Sequence, residues 1–363
     1  MISLRSQVHP RMAVMVFLLF SLLLSACAAP TAQPSQPPEP TQAVEPAQTE
    51  VVGNVPVTAS FPVTIEHKYG STLVEQAPER VVSVGLTDQD ALLALGVVPV
   101  ATREWYGQRP GAIFPWAEAK LNGAALPEVL GSELDFEQIA QLQPDLIVGL
   151  YSGLTQEEYD RLAQIAPTIA QPAEYVDWGI PWQEQTITIG RALGKEAEAE
   201  TLVADVEGQF AAAREQNPEF NGANAVIGAT YGFPESFNAY GTQDARGRFI
   251  TSLGFTIPEE INALAGDAFF ASISREQIQL VEQDVMVWFT LSMEEQEMLR
   301  QDPLYQQLAV AREGRHLFFD ASDPLYDALN FNSVLSLPYA LDGVVPQLAD
   351  VLGGGTLPAS PEN

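Results

Sequence analysis

Residues 181–215 read PWQEQTITIGRALGKEAEAETLVADVEGQFAAARE, and this stretch decides the fold. Ile189 and Leu193, then Leu202, Val206 and Phe210, recur at four-residue spacing, the mark of one apolar helix face. Pro181 suits a first helical turn, where its missing N–H goes unneeded. Asn217-Pro218 stops the pattern. The spacing predicts one helix of about 35 residues, roughly 50 Å long at 1.5 Å per residue. Gly190, Gly194 and Gly208 are poor helix formers inside it. Such a length is far above the usual helix. Set between two stretches that each alternate strand and helix signals, it reads as a bridge between two lobes.

Upstream, Arg80–Val84 is a β-branched run, Asp88–Leu95 a helix closed by Gly96, and Val97–Ala101 a second strand. Phe136–Leu142 is helical with Ile139 and Leu142 on one face, Pro144 breaks it, and Asp145–Val148 is a strand. Thr155 caps a helix through Ile165, with Glu157 and Glu158 at its positive end. Downstream come a strand at Ala225–Thr230, a helix around Phe249–Leu253, strands at Val285–Phe289 and His316–Phe319, and a final helix at Ser336–Leu352. This alternation predicts an α/β fold with mainly parallel sheets: two Rossmann-like α/β lobes, 61–180 and 218–352, joined by a single long α-helix at 181–217. The ligand cleft is expected between the lobes.

The 363 residues carry 17 Lys+Arg against 47 Asp+Glu, a net charge of −30. Such a surface repels phosphate backbones, which excludes a nucleic-acid partner. Hydrophobic residues make up 46%, enough for real cores, which excludes global disorder. The one cysteine, Cys27, rules out an intramolecular disulfide and a cysteine-based zinc site. Arg5 and Arg11 precede an apolar run from Met12 to Leu24, too short to span a bilayer and the right length for a signal peptide. It ends in Leu24-Ser25-Ala26-Cys27, which resembles the bacterial lipobox. The resemblance implies that residues 1–26 are a signal peptide and that Cys27 is the lipidated N-terminus, stably anchored by more than one acyl chain. Cleavage there removes two arginines and no acid, so the mature charge is −32. Residues 27–60 are rich in Pro, Gln, Thr, Ala and Glu and read as a disordered tether. Residues 353–363 read as a flexible tail. No later segment approaches 18 continuous apolar residues.

Several motifs stand in a recognisable order. Pro78-Glu-Arg-Val-Val-Ser83 is followed by Asp90-Ala-Leu-Leu-Ala-Leu-Gly-Val97, then by Asp135-Phe-Glu-Gln-Ile-Ala-Gln-Leu-Gln-Pro-Asp-Leu-Ile147 and Ile189-Gly-Arg-Ala-Leu-Gly194. Ile273-Ser-Arg-Glu276, Asp284-Val-Met-Val287, Ala309-Val-Ala-Arg-Glu-Gly-Arg315 and Leu335-Ser-Leu-Pro-Tyr-Ala-Leu-Asp342 complete the series. Over roughly residues 61–352 the chain resembles the ferric-siderophore and cobalamin branch of the bacterial ABC-transporter solute-binding proteins, with Asp135 where that pattern has Asn. The resemblance implies a monomeric, non-enzymatic protein outside the cytoplasm, held at the cell membrane by its lipid. It would deliver a small ferric chelate to an ABC permease dimer with its ATPase. Glu137 and Glu276 match the positions from which one exposed glutamate per lobe docks on the two permease subunits.

A ferric siderophore has its iron already wrapped in oxygen donors, so the protein needs no metal ligands and no further cofactor. Cations, hydrogen bonds and aromatic faces hold the complex. Ligands of open α/β sheets lie beyond the carboxyl ends of strands. That rule selects Arg103, Trp105, Tyr106 and Trp116, with Arg109, in the loop after Ala101, and Tyr151 after Leu150. In the second lobe it selects Tyr231 and Tyr240 after Thr230, and Arg246, Arg248 being expected to open the next helix. Tyr326, Asp327, Asn330 and Asn332 are expected in a late loop that closes the cleft. The pairing of Arg with aromatics favours an anionic ferric siderophore. Cobalamin and haem stay open, the latter with Tyr151, Tyr231 or Tyr240 as axial ligand.

Two other classes are weighed. A direct zinc or manganese binder of the same architecture uses three His with a carboxylate. Loss of His9 with the signal peptide leaves only His67 and His316. A cell-surface enzyme is the remote alternative: no Gly-x-Ser-x-Gly elbow, His-Glu-x-x-His or Walker A pattern is present.

Overall fold

The computed structural model describes residues 61–353 apart from Asp267. The signal peptide, Cys27, the 27–60 tether and all of the 353–363 tail beyond Gly353 lie outside the described residues. Among the described residues no helix is long and apolar enough to cross a membrane.

The chain opens with an antiparallel hairpin, β1 (Val63–His67) and β2 (Gly70–Val74). The first sheet follows: β3 (Val81–Ser83), β4 (Ala101–Arg103), β5 (Glu128–Leu130), β6 (Leu146–Gly149) and β7 (Thr168–Ala170), all parallel in the order β5-β4-β3-β6-β7. Its helices are α1 (Asp88–Ala94), the single turn α2 (Pro115–Glu118), α3 (Phe136–Gln141) and α4 (Gln156–Ala163). Thr155 and Glu158 form a reciprocal capping box on α4. The strand expected at 97–101 begins only at Ala101, since Pro99 has no N–H to give to a ladder.

The expected 35-residue helix is two helices. α5 (Trp182–Ala192) ends at Leu193, and α6 (Glu196–Gln216) starts three residues later. Gly194 adopts φ +67, Gly194 N–H bonds to the Arg191 carbonyl (3.1 Å), and Lys195 N–H bonds to the Gly190 carbonyl (2.7 Å). That is a Schellman closure built on a glycine. The chain then doubles back, so that Gln183 Nε2 reaches Glu207 Oε1 at 3.3 Å. At the crossing, a Cβ on Gly190 would lie 2.4 Å from the Ala199 Cβ. α5 packs on α1 and β1 and belongs to the first lobe. α6 alone, 21 residues and about 32 Å long, runs on to the second lobe, where Phe210 meets Phe249 and Arg214 bonds to the Ser252 carbonyl.

The second sheet has the order β10-β9-β8-β11-β12. β8 (Ala225–Ala229), β11 (Val285–Thr290) and β12 (His316–Asp320) are parallel. β9 (Ser236–Tyr240) runs antiparallel to β8 and to β10 (Phe270–Ser274). Every residue of β8 and β11 is buried, as expected of continuous apolar strands covered on both faces. The helices are α7 (Ala245–Ser252), α8 (Glu259–Ala265), α9 (Met293–Gln301), the single turn α10 (Ala309–Arg312), α11 (Pro324–Phe331) and α12 (Ser336–Leu352). Residues 324–331, expected as a loop, are helical because Asp323 caps the Leu325 N–H and Pro324 takes the first turn.

α6 is not the sole link between the lobes. Phe331, at the end of α11, sits among first-lobe rings, with centroids 4.3 Å from Phe114, 5.4 Å from Trp116 and 5.5 Å from Trp105. Beside it Asp90 of α1, 1% exposed, accepts Trp116 Nε1–H (2.7 Å) and Ser333 Oγ–H through Oδ2. Its Oδ1 has no partner. Burial pushes the Asp90 carboxyl up to about 6. Asp88, two residues earlier and fully buried, accepts the N–H groups of Leu150 (2.7 Å) and Tyr151 (3.1 Å) and ties α1 to the loop after β6.

Two outcomes follow from these contacts. Gly190→Leu overpacks the α5–α6 crossing and lowers the unfolding free energy by about 2 kcal/mol in urea titration. A carboxyl whose folded pKa is raised favours folding below its unfolded pKa, and that advantage disappears as pH rises through the folded value. Asp90→Asn therefore gains about 2–3 kcal/mol over wild type on going from about pH 4 to about pH 7.5. A gap that stays constant with pH would show that Asp90 does not titrate this way.

Candidate functional site

A cavity of about 520 Å³ lies where the carboxyl-end loops of the first sheet meet the second lobe. The first lobe contributes Trp105 and Tyr106 from the loop after β4, Tyr151 from the loop after β6, and Trp178 from the loop after β7. The second contributes Tyr231 after β8, the β9 residues Asn238 and Tyr240, then Asp244 and Arg246 at the start of α7. Phe269 and Phe270 at the start of β10, with Tyr326 and Asn330 of α11, close the wall. Nine of these thirteen residues are aromatic.

Asp244 organises the second-lobe half. Its side chain caps α7 by accepting Arg246 N–H (2.8 Å). The same carboxylate takes the Arg246 guanidinium as a fork, Nε on Oδ1 and Nη2 on Oδ2, each at 2.7 Å. Arg246 Nη1 donates to Asn330 Oδ1 (2.8 Å), and the guanidinium carbon lies 3.7 Å from the Tyr240 ring centroid. Burial works against its charge, but Asp244 more than offsets this, so the Arg246 pKa is raised. Tyr231 and Tyr326 share a hydroxyl–hydroxyl bond of 2.7 Å. Burial raises the pKa of Tyr106, Tyr240 and Tyr326, and pushes Tyr151 up to about 12. These hydroxyls are thus neutral at physiological pH. On the first-lobe side, Trp178 adopts φ +59 and its ring fills the space that a Cβ on Gly153 would need.

Six of the eight residues singled out from sequence therefore line one cavity: Trp105, Tyr106, Tyr151, Tyr231, Tyr240 and Arg246. Two do not. The Arg103 guanidinium is spent on backbone carbonyls, two bonds to Ser132 (3.0 and 2.6 Å) and one to Ser152 (3.5 Å), and pins the loops behind the wall. Trp116 stacks on Phe114 and bonds to Asp90. Arg109 pairs with Asp327 at 2.7 Å and lies outside the wall. Arg248 lies within α7 instead of opening it, and donates to the Gln243 carbonyl (2.6 Å).

Sequence reading missed Trp178, Asn238, Asp244, Phe269 and Phe270. The loop after β7 obeys the carboxyl-end rule, which would have found Trp178. Asn238 and Tyr240 alternate along β9, and Phe270 is the cross-strand partner of Tyr240, so the three share one sheet face. That face is legible only once β9 and β10 are recognised as strands.

Glu137 is exposed in the first turn of α3, which Asp135 caps, and Glu276 is exposed in the first turn of a short 3₁₀ helix, Arg275–Val281. Each follows the edge strand of its sheet, β5 and β10. His67 bonds to Thr72 (2.9 Å) in the first lobe and His316 to Tyr305 (2.7 Å) in the second. Among the described residues, no three His, Cys, Asp or Glu stand together as a metal-binding group.

The family model described as periplasmic binding protein matches residues 81–322. The probable siderophore-binding lipoprotein YfiY of Bacillus subtilis is 28% identical over 76% of this chain and 77% of its own length. The Fe(3+) dicitrate-binding periplasmic protein FecB of Escherichia coli is 27% identical over 71% of this chain and 82% of its own. Among solved structures, a periplasmic solute binding protein from Mycobacterium smegmatis is 37% identical, with a TM-score of 0.72 over 80% of this chain and 99% of that one. The Streptococcus pneumoniae protein PiaA in complex with ferrichrome is 26% identical, with a TM-score of 0.70 over 81% of this chain and 100% of that one.

Proposed function

Because the chain belongs to the periplasmic binding protein family, we propose that it is an extracytoplasmic solute-binding protein that captures a ferric siderophore between its lobes and hands it to an ABC permease. The observation that carries this reading is the aromatic cavity of about 520 Å³ walled by both lobes. It falls within the roughly 300–1,000 Å³ of small-molecule sites. Neutral tyrosine hydroxyls and amides line it, groups suited to the outer oxygens of a preformed chelate. Relatives named for a siderophore and for ferric dicitrate, and a ferrichrome-bound structural relative, support the ligand class.

Cys27, once lipidated, tethers the protein to the membrane, and the acidic, Pro-rich 27–60 segment spaces the lobes from it. Glu137 and Glu276 are the docking carboxylates, one per lobe, offered to basic pockets on the permease. An acidic protein approaching cations is favoured electrostatically.

Tryptophan fluorescence of the purified chain checks the ligand class, because Trp105 and Trp178 line the cavity. Quenching by at least one ferric siderophore is expected. Quenching by cobalamin or haem, with no response to any ferric siderophore, would sink the reading. Trp105→Ala weakens binding tenfold or more, about 1.4 kcal/mol. Arg103→Ala leaves affinity within about threefold and instead lowers the melting temperature, since it removes the bonds that tie the Ser132 and Ser152 loops together. For the permease, Glu137→Lys with Glu276→Lys abolishes uptake in cells while the dissociation constant stays put. A loss of affinity in that double variant would place these carboxylates in ligand binding.

A further inference from the structure

The cavity has no charge to spare. Among its described lining residues there is one cation, Arg246, and one anion, Asp244, and they already form a two-pronged pair. The third arm of the guanidinium is on Asn330, and its face lies over Tyr240. Arg103 and Arg109, expected at the cleft, are bonded elsewhere, Arg103 to Ser132 and Ser152 and Arg109 to Asp327, while Arg248, outside the lining, gives one arm to the Gln243 carbonyl and keeps a buried Nε without a partner. What remains is aromatic faces and neutral hydroxyls, within a chain of net charge −30.

From this balance we infer that the ligand is a ferric chelate with no net negative charge, a neutral or cationic tris-hydroxamate type, not a triply anionic tris-catecholate. The inference rests on the siderophore reading above and deepens it. A buried anion needs a cation or convergent donors to replace its water. Here the only lining guanidinium is already neutralised by Asp244, so an anion reaching its remaining N–H groups would sit beside that carboxylate. The acidic surface adds long-range repulsion to an anion and attraction to a cation. Aromatic faces also receive an ammonium group or aliphatic linker of a hydroxamate chelate favourably. The inference departs from the anionic ligand expected from arginines near aromatics in the sequence, because Arg103 and Arg109 lie outside the cavity lining and Arg246 is already paired with Asp244.

The test is a calorimetric or fluorescence titration of the intact chain with ferrichrome (neutral), ferrioxamine B (cationic) and ferric enterobactin (triply anionic). One or both hydroxamate complexes bind at least a hundredfold more tightly than ferric enterobactin. Added salt weakens ferrioxamine B binding and leaves ferrichrome binding unchanged. Asp244→Asn, which keeps the α7 cap because Asn also caps, frees Arg246 and narrows the gap to ferric enterobactin by tenfold or more. Ferric enterobactin binding as tightly as the hydroxamates overturns this inference and leaves the siderophore reading standing. An unchanged gap in Asp244→Asn overturns the role of the pair. No binding of any ferric siderophore overturns both readings together.

Discussion

Phe331 sits where the two lobes are forced to agree. It projects from the last turn of a second-lobe helix into a cage of first-lobe rings, with Phe114 at 4.3 Å, and the Asp90–Trp116–Ser333 cluster lies alongside. The loop that carries Trp105 and Tyr106 packs on this ring, and the helix that carries Tyr326 and Asn330 ends in it. The separation of those two walls is therefore set by how far one phenylalanine enters. Aromatic packing of this kind combines large buried area with defined ring geometry. Asp90 adds a buried carboxylate with one unpartnered oxygen, an arrangement that packing around it must compensate.

The same economy shapes the electrostatics of the site. Asp244 caps a helix and neutralises an arginine with one carboxylate, so folding of the α7 start and alignment of Arg246 are a single event. The guanidinium is consequently a fixed, stacked element of the wall rather than a free charge. Pre-ordered side chains of this sort reduce what a ligand must freeze on binding.

Much of this was legible in the sequence. The final helix was read with the observed bounds, and the strands at β3, β6, β8, β11 and β12 were read within a residue or two, because long apolar runs and clear punctuation mark them. The carboxyl-end rule led to six residues of the wall. What stayed hidden had physical causes. A four-residue periodicity survives a sharp Schellman turn, so α5 and α6 looked continuous although Gly194 lies between them in a left-handed conformation. β9, Ser-Phe-Asn-Ala-Tyr, alternates too briefly to announce a strand, and with it went Asn238 and the partnered Phe270. The fates of Arg103 and Arg109 depended on groups 29 and 218 residues away, the Ser132 carbonyl and the Asp327 carboxylate. No local pattern encodes those pairings.

The α5–α6 corner has a mechanical consequence. With α5 folded into the first lobe, α6 is a strut of one helix, fixed at its start by the close Gly190–Ala199 contact and at its end by Phe210 on Phe249. The seated Phe331 is a second, separate attachment. Two bodies joined at two places keep one easy motion, rotation about the line through both joints. Any opening of the cleft is then expected to be a swing about that line, resisted by the Arg109–Asp327 pair.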